Sequence, residues 1–420
     1  MDAAAAFLDR LRRNRAGEPV GITSVCSAHP LVLRVAMTRA AARGELLLLE
    51  ATCNQVNQDG GYTGMTPADF RDRQLALADS AGLARERLLL GGDHLGPNPW
   101  RARPAAEAMD KAKTLVAAFA AAGYRKLHLD TSMACADDPD ALPAEIIADR
   151  AAQLCATAEQ AAAAAGLPPP VYVIGTEVPT PGGAREAMDH LAVTPATEVA
   201  HTLALHRAAF AAHGQGAAFA RAVAVVVQPG VEFGQDSVHD FVPAAATSLS
   251  SALAGTDNVV FEAHSTDYQL AQALKALVAG HFGILKVGPE LTFAFREAIF
   301  GLDAIAAEIT PSREAGVRAV LERTMDARPH WWRGYFVPED RVGRLFSLSD
   351  RVRYYWPEPE LEAAVRRLAG ELRAIPPTLV SQYLPAQHAA WREGAIPLTP
   401  AALIAHRIEA VLLRYGQACA

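Results

Sequence analysis

Cysteine is scarce in this chain. There are five residues (Cys26, Cys53, Cys135, Cys155 and Cys419), an odd number with no CxxC spacing. That argues against a disulfide framework and fits free thiols in a reducing compartment. No window approaches the roughly 18–20 uninterrupted apolar residues of a membrane span, so no membrane partner is expected. A basic excess is missing too. The 39 Lys and Arg residues face 46 Asp and Glu, a formal net charge of −7, which leaves no footprint for nucleic acid. Disorder is excluded because 51% of the 420 residues are hydrophobic and only 20% charged. The stretch 1–15 is rich in Ala and Arg and lacks the continuous apolar core of a secretory signal. It reads as a first helix of a cytoplasmic protein.

What the chain does contain is an alternation. Short runs rich in branched residues read as buried parallel strands at 21–25, 46–51, 88–92, 126–129, 171–175, 222–227, 259–263 and 283–287. Between them, longer Ala/Leu/Arg segments with a period near 3.6 read as helices at 31–42, 67–81, 105–122, 142–165, 197–213, 244–254, 267–279 and 291–309. Thr66 followed by Pro67 is an N-terminal helix signal, and Gly123, Gly166 and Gly214 are helix stops. Eight such units predict a closed (β/α)8 TIM barrel over residues 1–310. The alternative, an open doubly wound sheet, lacks the GxGxxG that should follow its first strand. Beyond residue 310 the rhythm changes. Helices at 312–326, 359–373 and 400–415 flank an irregular, aromatic, Arg- and Pro-rich stretch at 328–353. Residues 311–420 therefore read as a helical extension packed on the barrel.

Catalytic groups of such a barrel collect at the C-terminal ends of its strands. Here every one of those ends carries a potential ligand, acid or base: Ser27 and His29; Glu50, Asn54 and Gln55; Asp93 and His94; Asp130; Glu177; Gln228 and Glu232; His264 and Ser265; Lys286. A single histidine at a strand end is more often a structural donor than a ligand. His94 and His264, each beside acidic or hydroxyl residues on one face, point to a divalent ion such as Zn²⁺, Co²⁺, Ni²⁺ or Mn²⁺. Adjacent residues on a strand face opposite ways, so Asp93 reads as an acid/base beside a liganding His94. Glu177, after an apolar strand, suits a partly desolvated base. Lys286 either pairs with a neighbouring carboxylate or forms a Schiff base with a ketose, and pairing is the preferred reading. A phosphate would sit at the loops after strands seven and eight, with Ser265, Thr266 and Gly288 as donors and help from Arg351 and Arg353.

Several strand-end motifs are distinctive as strings: Cys26-Ser27-Ala28-His29-Pro30, Glu50-Ala51-Thr52-Cys53-Asn54-Gln55, Gly91-Gly92-Asp93-His94-Leu95-Gly96-Pro97-Asn98, Ile174-Gly175-Thr176-Glu177-Val178-Pro179, Gln228-Pro229-Gly230-Val231-Glu232-Phe233, Phe261-Glu262-Ala263-His264-Ser265-Thr266-Asp267-Tyr268 and Asp350-Arg351-Val352-Arg353-Tyr354-Tyr355-Trp356. On these, nearly the whole chain resembles the D-tagatose-1,6-bisphosphate aldolase subunit GatZ/KbaZ-like family, which is similar to class II, metal-dependent ketose-bisphosphate aldolases. The resemblance implies a metal held by His94 and His264. The third histidine of class II aldolases, after strand six, has no match here, and Glu232 takes its place in this reading. Asp93, Asp130 and Glu177 would be the acid/base groups. Ser27, His29, Glu50, Asn54, Gln55, Gln228, Ser265, Lys286, Arg351 and Arg353 would position the substrate. The implied activity is inversion of C4 of a ketohexose or its 6-phosphate, of the fructose/tagatose type, by retro-aldol and aldol steps. The alternative is a non-catalytic stabilising subunit that partners an aldolase catalytic subunit. A homo-oligomer is expected.

Overall fold

The computed structural model describes residues 2–176, 178, 191–253, 256 and 258–420. Eight parallel strands close into a barrel: β1 (Ile22–Val25), β2 (Leu47–Thr52), β3 (Leu88–Leu95), β4 (Lys126–Leu129), β5 (Val171–Ile174), β6 (Ala222–Val226), β7 (Val260–Ala263) and β8 (Phe282–Val287). Each pairs with its sequence neighbours, and β8 pairs with β1 to complete the ring. The expected (β/α)8 fold is thus present, and the expected strands fall within a few residues of the observed ones.

Local chemistry explains the helices between them. Helix Pro67–Ala81 starts with a capping box, in which the Thr66 hydroxyl accepts from the Asp69 N–H and Asp69 reaches back to the Thr66 N–H. It ends at Gly82, whose φ of 72° suits a residue without Cβ. The expected helix at 244–254 shrinks to Thr247–Ser250, and residues 254 and 255 lie outside the described residues. The expected helix at 267–279 begins only at Ala271, because Tyr268 takes a left-handed φ of 65°.

Inside the barrel, side chains stack in layers. The lowest layer is apolar. Ile22, Leu48, Leu89, Val171, Val223, Val260 and Ile284 pack there, and helix Ala3–Arg15 plugs the barrel bottom with Phe7 and Leu11. Above it lies a charged layer built from Ser24, Glu50, Lys126, Glu262 and Lys286. Gly91 makes room for it: a Cβ there would sit 2.9 Å from Cγ of Glu50. The next layer up holds Asp93, His128 and His264.

The C-terminal region joins this architecture at two places. Helix Pro400–Cys419 packs along β1 and against helices Ala271–Ala279, Pro30–Arg43 and Pro289–Ile309. The Cys419 carbonyl accepts from the Gly21 N–H at 3.0 Å. Residues 329–356 fold over the barrel mouth. They are anchored by the fully buried Arg296, whose Nε lies 2.8 Å from Asp350 and whose guanidinium donates to the Ser347 carbonyl. No helix among the described residues is long and apolar enough to cross a membrane.

Candidate metal centre and active-site cavity

Asp93, His94, His128 and His264 converge at the barrel mouth. All are buried, and one ligand atom from each lies within 4.8 Å of the others. The three imidazole centroids form a near-equilateral triangle of 4.8, 5.0 and 5.1 Å. Two features of the strands build it. On β4 and β7, His128 follows Lys126 and His264 follows Glu262 at the two-residue period that keeps both on the inward face. On β3, register shifts between Gly92 and Leu95, and His94 has a φ of 49°. That bulge turns Asp93 and His94 to the same group, which the regular alternation assumed from sequence would forbid.

Each imidazole is held from behind. His94 Nδ1 lies 2.8 Å from Asp130, whose other oxygen accepts from the Ser132 N–H and hydroxyl. His128 Nδ1 lies 2.8 Å from Asp93 Oδ1, which leaves its buried Nε2 without a hydrogen-bond partner among the described residues. His264 Nε2 lies 2.9 Å from Glu262 Oε1. Carboxylate–imidazole pairs of this kind orient metal-ligating histidines. Burial pushes the His264 imidazole down to about 3, with the nearby Lys286 charge adding to the effect, and burial also lowers His128. Neutral imidazoles are what a metal needs.

Gly96 keeps this arrangement possible. A Cβ on it would fall 1.7 Å from the Asp130 carbonyl oxygen.

The carboxylates divide into two kinds. Burial alone would raise the Asp93 carboxyl. His94, Lys286 and the His128 hydrogen bond outweigh it and hold Asp93 well below the usual carboxylate range. Asp130 is likewise driven down against its burial, by His94, His128 and Ser132. Glu232 and Asp267 go the other way, and burial pushes each up to about 7.

Lys286 is fully engaged. It pairs with Asp93 and with Glu262 at 3.1 Å, and these carboxylates, against the cost of burial, raise it well above an ordinary lysine. The pairing expectation fits this geometry. A Schiff-base nucleophile, which must be neutral, does not. Together four carboxylates (Glu50, Asp93, Asp130, Glu262) meet two ammonium groups (Lys126, Lys286), an excess of two negative charges that a divalent ion would cancel.

Above the triad a cavity of about 370 Å³ opens. Of the residues read as substrate-positioning, Ser27, His29, Asn54, Gln55, Ser265, Lys286 and Arg353 line it, together with Cys26, Tyr62, Arg73, Phe233, Tyr354 and Trp356. Gln55 has its polar groups committed, accepting from the Thr52 N–H and donating to the Cys26 carbonyl. Burial lowers His29, packed against Phe295, to about 3, and its buried Nδ1 has no hydrogen-bond partner among the described residues.

Other expected residues lie elsewhere. Glu50 sits beneath the floor, bonded to Ser24 and Lys126, and does not line the cavity. Arg351 turns away from it, donates to the Trp331 carbonyl and covers the Tyr335 ring. Glu232 is not part of the His/Asp group. It lines a second space of about 360 Å³ with Ser132, Thr176 and Gln228, and its Oε1 accepts from the Phe233 N–H. Gln228 spends its carbonyl on the Gly230 and Val231 N–H groups. Glu177 lies outside the described residues.

The expected phosphate seat after β7 and β8 is already occupied. Asp267 accepts from the Gly288 and Glu290 N–H groups at 2.9 Å, and the Thr266 hydroxyl bonds the Lys286 carbonyl. An anion there would displace a buried carboxylate.

His128, the third imidazole of this group, stands in the strand-four run His128-Leu129-Asp130-Thr131-Ser132, but sequence reading gave it no role. Its signal was the Lys126-x-His128 alternation, which matches Glu262-x-His264 across the barrel.

The model of the D-tagatose-1,6-bisphosphate aldolase subunit GatZ/KbaZ-like family matches residues 7–420. The solved structure of a probable tagatose 6 phosphate kinase from Sinorhizobium meliloti 1021 is 50% identical, covering 95% of this chain and 100% of that one with a TM-score of 0.88. Two aldolase structures are much more distant. The YdjI aldolase from Escherichia coli K12 is 13% identical over 88% of this chain and 97% of its own, with a TM-score of 0.43. The fructose-bisphosphate aldolase from Campylobacter jejuni is 14% identical over 89% and 95%, also at 0.43. Neither of the last two carries weight for function. The chain belongs to the GatZ/KbaZ-like family.

Proposed function

We propose, from this membership and the geometry of the mouth, that the chain is a metal-dependent epimerase of the cytoplasm. It would invert C4 of a ketohexose or ketohexose 6-phosphate of the fructose/tagatose pair. The observation that carries the reading is the triad of buried imidazoles with Asp93 beside it, opening onto a cavity sized for a small sugar. Three imidazoles suit a catalytic site that keeps a position open. The unpartnered His128 Nε2 and the surplus negative charge that Asp93 and Asp130 bring beside the imidazoles support the same donor set. His94, His128 and His264 would hold Zn²⁺, Co²⁺, Ni²⁺ or Mn²⁺. When bound, the ion would supply Lewis-acid polarisation of the C2 carbonyl and C3 oxygen.

The rest is the work of side chains. A carboxylate takes the proton of the C4 hydroxyl, and the C3–C4 bond breaks with its electron pair left on C3. The released three-carbon aldehyde turns its other face, the bond re-forms, and the proton returns to O4. Nothing is oxidised or lost. Glu232 lines the second space rather than the cavity above the triad, so it is the proton-transfer candidate for a substrate whose O4 reaches that space, where a carboxyl near 7 both accepts and returns a proton at neutral pH. Asp93 has Oδ1 committed to His128, Lys286 and the His94 N–H, so Oδ2 is the oxygen left for a substrate hydroxyl. Asp130 serves as the holder of His94 rather than as an acid. Glu177 stays a second carboxylate candidate. A 6-phosphate would meet Arg353 and Arg73 on the cavity wall.

The test is to incubate the purified chain alone with fructose 6-phosphate and with fructose, metal-loaded and chelated. Tagatose-form product only in the metal-loaded samples supports the reading.

The family's own description, an aldolase subunit, favours a second reading in which the chain stabilises a catalytic partner. Size-exclusion chromatography with a candidate catalytic subunit separates the two and also gives the homo-oligomeric state. A stable complex with aldolase activity untouched by His94→Ala plus His264→Ala would favour the partner role.

A further inference from the structure

Lys126 lines neither cavity, yet it is the most enclosed cation of the barrel, at 0% exposure. Its ammonium lies 2.7 Å from both oxygens of Glu50 and 2.7 Å from Glu262 Oε2. The other Glu262 oxygen, Oε1, meets Lys286 at 3.1 Å and His264 Nε2 at 2.9 Å. A carboxylate between two ammonium groups is an acceptor only, so the proton of the Glu262–His264 hydrogen bond belongs to the imidazole. That assigns His264 the Nε2–H tautomer and leaves Nδ1 as its free lone pair. Lys126 is the group that sets the rotation of the Glu262 carboxylate, because its ammonium, an ion-pair partner at 2.7 Å without hydrogen-bond geometry, is the sole charge against Oε2 among the described contacts. The apolar layer of Leu48, Leu89 and Val260 directly below offers no substitute partner.

We propose that Lys126 is a positioning residue that acts through Glu262 to hold His264 in the tautomer and orientation a metal requires. The inference rests on the metal-site reading of the same mouth. Its effect is on metal affinity first and on turnover only as a consequence. Loss of an outer partner of a liganding histidine typically weakens metal binding 10–100-fold.

Three measurements on the full-length protein test it. In the metal-free wild type, ¹⁵N NMR of the imidazoles should report His264 protonated at Nε2, and protonation at Nδ1 would overturn the proposal. In Lys126→Met, competition with a chromophoric chelator should show Zn²⁺ bound at unchanged stoichiometry but about 10–100-fold more weakly. The Co²⁺ absorption spectrum should shift with it. Because that variant leaves Glu50 only the more distant Lys286, at 3.8 Å, the double variant Lys126→Met/Glu50→Gln removes one charge of each sign and keeps the layer's balance. It should fold and bind metal as weakly as the single variant. Wild-type affinity and an unchanged Co²⁺ spectrum in the folded double variant would overturn the proposal. If the wild type binds no metal at all, the metal-site reading itself fails, and the His264 tautomer decides the role of Lys126 alone.

Discussion

The floor of the mouth and its roof are made of different material. On the floor, Asp93, His128, His264 and Lys286 stand on barrel strands at 5% exposure or less, and their polar groups are tied to one another. Over them, the roof is irregular chain joined by aromatic and guanidinium faces. Trp331 and Tyr354 stack at 4.5 Å with 6° between their planes. Tyr62 meets Tyr354 edge-on at 4.9 Å, and Arg351 lies 3.8 Å above the Tyr335 ring. Strand-borne ligands cannot drift, so the floor suits chemistry that needs fixed geometry. Loop-borne aromatics can adjust to a ligand, so the roof suits recognition. Substitutions below should therefore cost metal and turnover, and substitutions above should cost affinity.

The largest expected break is His128→Ala. It removes one corner of the triad, and both bound metal by elemental analysis and activity should be lost to background. Full activity with metal retained would show that the third ligand is elsewhere, for example at Glu232. Next comes Glu232→Gln, which should lower kcat by about 10²–10⁴ with metal content unchanged. The wild-type kcat/KM should rise with pH through about 7, because the base works only when ionised, and the variant's profile should lose that limb. The sign for stability is opposite. Since the folded carboxyl lies above its ordinary value of 4.5, ionising it costs the folded state stability as pH rises from about 4.5 to 7. Denaturant melts of wild type and variant across that window check it.

Below the floor, Phe7→Ala should cost about 3–5 kcal/mol in chemical unfolding, because it empties the barrel's lower plug. The activity of the protein that remains folded should be unchanged. The smallest effect belongs to the roof. Arg353→Ala should raise KM for a ketose 6-phosphate by about tenfold or more, the worth of one charge-assisted contact. KM for the free ketose should barely move. Equal effects on both substrates would remove Arg353 from phosphate recognition and sharpen the contrast in another direction, toward a roof that reads the sugar itself.

How legible each region was follows from the same contrast. The strands were readable because a strand buried on both faces is a continuous apolar run, and the segment expected at 222–227 is found at Ala222–Val226. Thr66 and Pro67 marked a helix start by capping chemistry that operates locally. His94 and His264 stood out at strand ends. His128 did not, because it lies inside its strand and is aimed inward by the barrel's closure, a long-range property. Asp93 and His94 were read as pointing apart. The bulge that unites them depends on the left-handed conformation of His94 itself, a non-glycine residue whose type does not signal it. The supposed phosphate seat failed for a related reason: Asp267 caps the helix after β8 from the preceding strand's loop, and only the folded register brings the two together. In the extension, Arg351 and Arg353 are two residues apart and both brace the roof through backbone carbonyls, yet only Arg353 also lines the cavity, a difference set by the turn they share.

The central claim is that the floor performs metal-dependent inversion at C4 without a partner protein. Its most direct test is to mix the purified chain alone with fructose 6-phosphate or fructose and follow tagatose-form product by NMR, with Zn²⁺, Co²⁺, Ni²⁺ or Mn²⁺ and with excess chelator. Product with at least one metal, none with chelator and none in His128→Ala is the predicted result. No product under any metal condition, or product that chelator does not diminish, would contradict it.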